Sequence, residues 1–170
     1  MNRILAAGLL YFFASAPALA AYTPIYAGIQ VDNTSGTALL GYQISKMYAV
    51  EAHYTNSDTQ IAHSGVTSNT KIVGAGLAAI AMFPMKLDGG SPYFLFAKAG
   101  YARITKDETY SIPTSVTLTL PYNNSVSNTE NRIIFGGGAQ YDFYQNVSGR
   151  VGIDIAGDKR SVYIGAILRF

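Results

Sequence analysis

Six charged side chains stand singly inside alternating, mostly apolar stretches: Glu51, Lys98, Arg132, Arg150, Asp154 and Arg169. Glu51 is flanked by Val50 and Ala52, and Arg150 by Gly149 and Val151. In an extended chain successive side chains point to opposite faces, so each charge sits opposite an apolar face. Charges enclosed on one such face persist only when paired. The chemistry they offer is ion pairing, and Glu51, Lys98, Arg132, Arg150 and Asp154 are the candidates for interior pairs. Other chemistries find little support. His53 and His63 are the only histidines, and although Glu51 and Asp58 lie near them in sequence, no triad spacing is present. Without cysteine there is neither a disulfide framework nor a thiolate metal site. Gly136-Gly137-Gly138 lacks the Lys-Ser/Thr continuation of a phosphate loop. The expectation is a protein that is not an enzyme, with no cofactor and no metal.

The elements that would carry these charges are short and extended. Ile25, Ala27, Ile29 and Val31 alternate with Tyr26, Gly28, Gln30 and Asp32, which predicts a first strand. Further strands are predicted over 37–44, 48–55, 70–83, 93–105, 130–143 and 147–156. In residues 70–83 a helix competes, but Gly74, Gly76 and the stop at Pro84 favour a strand. The last stretch, 160–170, puts Val162, Ile164, Ala166, Leu168 and Phe170 on one face and ends on an aromatic residue. An apolar stripe of this kind suits the closing strand of a barrel that meets lipid. Phe170, Leu168 and Ile164 are therefore the candidate insertion signal. Eight strands alternating apolar-out and polar-in predict an all-β fold, an eight-stranded antiparallel up-and-down transmembrane β-barrel.

Residues 1–20 have a basic start at Arg3, an apolar run and Ala18-Leu19-Ala20, which reads as a cleaved secretory signal peptide. The barrel domain is then residues 21–170, in the bacterial outer membrane. The formal net charge of +2 falls further with the leader, so no nucleic-acid footprint is present. Tyr48, Phe83, Tyr93, Tyr141, Phe143, Tyr144 and Phe170 collect at the end with short turns, and Tyr54 and Tyr101 near the other, as two interfacial girdles. Long polar connections are predicted at 56–69 and 106–128, both outside the cell. The second interleaves Tyr110 and Tyr122 with Thr and Ser, which makes them candidate contact residues. Residues 114–120 alternate strongly enough to continue as a hairpin beyond the membrane, where an exposed edge can accept an incoming strand.

The stretches Pro92–Tyr101, Phe135–Phe143 and Ser148–Ile155, with the terminal Phe170, resemble the small outer-membrane β-barrel superfamily of OmpA-like transmembrane domains and OmpX-like or opacity-type surface proteins. That resemblance implies a monomer whose partners are outer-membrane lipid, the barrel-insertion machinery and a host or matrix surface ligand. It leaves two functions open: a structural or adhesion-type barrel that binds through its external loops, or a narrow small-solute pore gated by lumen ion pairs. Eight-stranded lipid A deacylases are similar in size but carry a His-x-Ser pair in a late strand, and no His follows His63 here.

Overall fold

The computed structural model describes residues 24–63, 66–85, 93–112 and 122–170; the leader, residues 1–20, lies outside them. The described residues form eight strands: β1 (Ile25–Val31), β2 (Ser35–Gln43), β3 (Tyr48–His63), β4 (Val66–Met85), β5 (Tyr93–Ile112), β6 (Tyr122–Asp142), β7 (Val147–Ala156) and β8 (Lys159–Arg169). Each pairs antiparallel with its sequence neighbour, and β1 pairs with β8, so the sheet closes on itself. Closure removes the free edges that an open sheet would leave within a membrane.

Alternation decides which side chains face inward. Leu39, Ala49, Ile80, Met82, Phe96 and Ile167 are buried inside the barrel, while Leu40, Val50, Leu77, Leu95, Val151 and Ile164 are exposed on its outer surface. A lumen of this width is filled by side chains rather than left open. Leu168 departs from the expected stripe: it has the outer parity, yet only 8% of its surface is exposed, against 67% for Ile164. It lies at the lower rim, where the 143–146 turn joins β8 through a 2.8 Å bond from Arg169 N to Asn146 O. The exposed aromatics Tyr48, Phe83, Tyr141, Phe143 and Tyr144 surround this rim, with Tyr54 and Tyr101 higher on the wall.

The two long connections are a correction to the sequence reading. β3 runs on through Asn56 to His63 and β4 begins at Val66, so most of 56–69 is strand. Likewise β5 continues to Ile112 and β6 starts at Tyr122, leaving residues 113–121, including all of the alternating 114–120 segment, outside the described residues. Polar composition signals a loop only where the backbone has no partner. Here β3–β6 pair with one another well above the level reached by β7, because a strand in water needs no apolar face to keep its ladder.

The uneven lengths leave a four-stranded sheet standing above one side of the barrel. The topmost β6–β7 pair is Ile134 with Ala156, and the topmost β2–β3 pair is Ser35 with Ser57. Above those levels β6 pairs only with β5 and β3 only with β4. On the low side the β1–β2 turn is tied down by Asp32, which accepts bonds from Thr34 N (2.8 Å), Ser35 N (2.6 Å) and Ser161 Oγ (2.5 Å). Partial burial pushes this carboxyl up, but the bonds from Ser161, Thr34 and Ser35 outweigh it and hold it below its ordinary value.

Candidate functional site: barrel interior and mouth

Glu51 is fully buried on the inner face of β3 and is held from across the lumen. Arg150 of β7 donates from Nη1 to Glu51 Oε1 at 2.6 Å, and Tyr26 of β1 donates its hydroxyl to the same oxygen at 2.8 Å. Tyr26 reaches β3 because Gly41 of β2 lies between them. A Cβ at Gly41 would run into the Tyr26 ring, so only glycine lets the phenol cross. His53, two residues along β3 and on the same face, brings Nε2 to 3.3 Å from Glu51 Oε2. Arg150 also donates to Gln140 Oε1 from Nε (3.3 Å) and Nη2 (3.0 Å), and its guanidinium lies 4.8 Å from the centre of the Phe96 ring.

From Gln140 the polar chain continues to the lower rim. Gln140 Nε2 donates to Asp142 Oδ1 at 3.3 Å, and that carboxylate also receives Ser148 Oγ at 2.7 Å and Arg169 Nη2 at 3.1 Å. A second pair joins Lys98 Nζ to Asp154 Oδ2 at 2.5 Å, with the ammonium 5.3 Å from the centre of the Tyr163 ring. Gly136 makes room for the pair, since a Cβ there would collide with Asp154 Oδ1 and stand 3.1 Å from Lys98 Cε. Buried pairs of this kind contribute little net stability, since each charge has left water; what they enforce is that both partners stay.

The structure thus brings Glu51 to Arg150 and Lys98 to Asp154. Arg132 is not in the interior network. It sits at the mouth, where it donates from Nε and Nη2 to Glu130 Oε2 at 2.9 and 2.7 Å and lies 3.6 Å from Asp158. Its inward parity is right, but its strand position is above the last β6–β7 pair, where the wall is open. Tyr110 lies on the raised sheet and donates to Glu108 Oε2 at 2.7 Å. Glu108 also pairs with Lys106, and that hydrogen bond raises the ammonium above its ordinary value and lowers the carboxyl. Tyr122 is the first residue of β6. Tyr26, Gln140 and Tyr163 were missed by sequence reasoning. An uncharged polar residue on an inward parity was the available signal, but only the closed barrel shows which charge it meets.

Above the ion pairs the interior widens into a cup of about 530 Å³ that opens at the mouth. Gln30, His53, Asp154 and Tyr163 are among its lining residues. Below it, Ile80, Met82 and Phe96 pack the interior.

A family model described as the OmpA-like transmembrane domain matches residues 19–153. No curated protein matches the chain. Among solved structures, the N-terminal β-barrel domain of Pseudomonas aeruginosa OprF is similar, with a TM-score of 0.55 at 16% identity over 86% of this chain and 95% of that one. Ail, the attachment invasion locus protein of Yersinia pestis, gives 0.52 at 11% identity over 86% and 93%. Neisserial surface protein A gives 0.51 at 16% identity, again over 86% and 93%. At these identities the likeness is one of fold.

Proposed function

The chain belongs to the OmpA-like transmembrane domain family, an eight-stranded outer-membrane barrel, and on that premise we propose that it is a surface-interaction barrel whose raised sheet binds an extended segment of a partner protein. The observation that carries this reading is the β6 edge from Tyr122 to Ile133, which pairs with β5 on one side and with no strand on the other among the described residues. An edge of this length offers a row of backbone donors and acceptors to a strand laid beside it. Natural edges are blunted by Pro, Lys or bulges; this stretch contains neither Pro nor Lys, and its charged residues Glu130 and Arg132 are paired to each other. An incoming strand would stand above the β7–β8 turn, in the space that a longer β7 would have filled. Ail supports the surface-interaction role alone by analogy, since it is named for attachment and one of its structures holds the heparin analogue sucrose octasulfate.

The same proposal includes export by a leader over residues 1–20, delivery by the barrel-insertion machinery and a monomer in outer-membrane lipid. Replacing residues 107–127 by a two-residue Asn-Gly turn, which closes the β5–β6 hairpin at the Lys106–Asn128 pair and removes Tyr122–Ser127 of the edge, tests the binding role. The shortened barrel should still insert and keep its heat-modifiable migration, while adhesion of cells displaying it to immobilised matrix proteins should fall severalfold. Adhesion equal to that of the intact barrel would remove the raised sheet from consideration.

The buried pairs Glu51–Arg150 and Lys98–Asp154 favour the second reading, a small-solute pore gated by lumen ion pairs. Against it stands the packing of Ile80, Met82 and Phe96 below the cup. Single-channel recordings separate the two: substantial conductance that vanishes on replacing Lys98 or Arg150 selects the pore.

A further inference from the structure

We infer that the segment taken up beside β6 is amphipathic, with aliphatic side chains at alternate positions turned toward the barrel axis and neutral hydroxyl or amide side chains turned outward; this rests on the strand-addition reading proposed above. Polarity reverses with height along the strands. In the wall, large apolar side chains such as Leu77, Tyr101 and Ile133 are exposed on the outer surface, where lipid receives them. In the raised sheet the inner face carries them instead. Ile61, Tyr110 and Val126 are 61%, 36% and 49% exposed, and the unbroken ladders give them the inward parity of Glu51, Lys98 and Gln140. Gln60, Asn69, Thr109 and Ser127, on the outward parity, are polar. A sheet that stands in water with one apolar face ordinarily has that face covered. Lipid cannot cover this one, which is turned away from it, and the ladders of β7 and β2 end below it.

An added strand takes the place that β7 leaves empty, and the barrel below shows what that place faces. Ladder rows lead from Glu51 through Ala78, Gly100 and Ile134 to Ala156. The β7 residue that meets Glu51 across the lumen is nevertheless Arg150, lower on the strand, because barrel strands are tilted. The same displacement carries Ile61, whose row runs through Ser68, Tyr110 and Asn124, to the position beside Glu130. That position lies on the free edge, so an inward side chain of the incoming strand meets Ile61 as Arg150 meets Glu51. Charge then selects its type. Lys106 pairs with Glu108 and Arg132 with Glu130, so an inward charge finds no free counter-charge in these pairs, whereas an aliphatic side chain covers Ile61. On the outward parity β6 presents Ser125, Ser127, Thr129 and Asn131, which favour hydroxyl and amide neighbours across the new ladder.

Fluorescence anisotropy on the whole barrel in detergent micelles, with empty micelles as the blank, compares a labelled peptide that alternates Val with Thr and its isomer of the same composition in which the Val residues are contiguous. The alternating peptide should bind about tenfold more tightly. Ile61→Asn should remove most of that advantage. Ile61 lies on β3, away from the β6 edge, and its exposure lets a polar side chain replace it without loss of the fold, which unchanged heat-modifiable migration verifies. Gln60→Asn, next to it on the outward parity, should leave both affinities unchanged. Equal affinity of the two isomers, or an advantage that Ile61→Asn leaves intact, overturns the inference and leaves the edge as a binder of any extended segment. Binding of neither peptide also overturns it, and the adhesion measurement above then decides whether strand addition falls with it. A barrel that sediments as a dimer without peptide, and as a monomer once Ile61→Asn is introduced, would give the face to a second copy and overturn the inference likewise.

Discussion

Glu51→Leu should destabilise the barrel by about 3–5 kcal/mol, because it leaves the Arg150 guanidinium buried without a counter-charge. Arg150 is buried as deeply as its partner, and its remaining acceptor is Gln140 Oε1, a neutral amide oxygen. Tyr26 would lose its acceptor at the same time. Adding Arg150→Met to the same chain should recover most of the loss, since a buried pair exchanged for apolar side chains of similar volume is often neutral. The comparison is made by urea titration, read by far-UV circular dichroism and by the heat-modifiable gel shift; the chain has no tryptophan, so indole fluorescence is not an available probe. A single substitution that costs less than about 1 kcal/mol would mean that water reaches Arg150 and the network is not holding the interior.

On the outer wall, Val151→Arg and Ile164→Arg should each cost about 2–4 kcal/mol near the membrane midplane. The two residues are direct cross-strand partners on β7 and β8, and they are 54% and 67% exposed on the outer surface. An arginine there must hold its charge in hydrocarbon or draw water and headgroups inward. Gln140→Asn on the lumen side gives up hydrogen bonds to a charged neighbour but places no new charge in lipid, and should cost no more than about 1.5 kcal/mol. The same titration in lipid vesicles measures all three. Similar losses at both parities would contradict the inside–outside assignment of the strands.

Strand parity was legible in the sequence because lipid outside and a filled lumen inside impose opposite demands on alternate residues. Val50, Glu51 and Ala52 display that demand within three positions. Pairing was less legible. Parity says that Glu51 and Arg150 face inward, but the choice of Arg150 rather than Lys98 as partner depends on register accumulated over several strands. The upper halves of β3–β6 were hidden for another reason. A segment such as Asn124–Asn131 is exposed on both faces, so it has no apolar period to reveal and its polar composition imitates a loop. Arg132 was placed in the lumen because its parity was readable and its height was not.

The β1–β8 ladder joins residues near the two ends of the described chain, from Tyr26 with Arg169 to Val31 with Ile164. Every other ladder links sequence neighbours through a turn or a short connection. Hairpins of that local kind close quickly, whereas a contact of such sequence separation carries the largest loop-closure entropy and forms late. The barrel is therefore expected to pass through a curled, open sheet with β1 and β8 as its edges. The seam is also short, because β1 is only 7 residues long, so few backbone bonds must be broken to reopen it. It is the place where the finished wall is expected to part first, and hydrogen exchange should find the amides of β1 and β8 released ahead of those shared by β4 and β5.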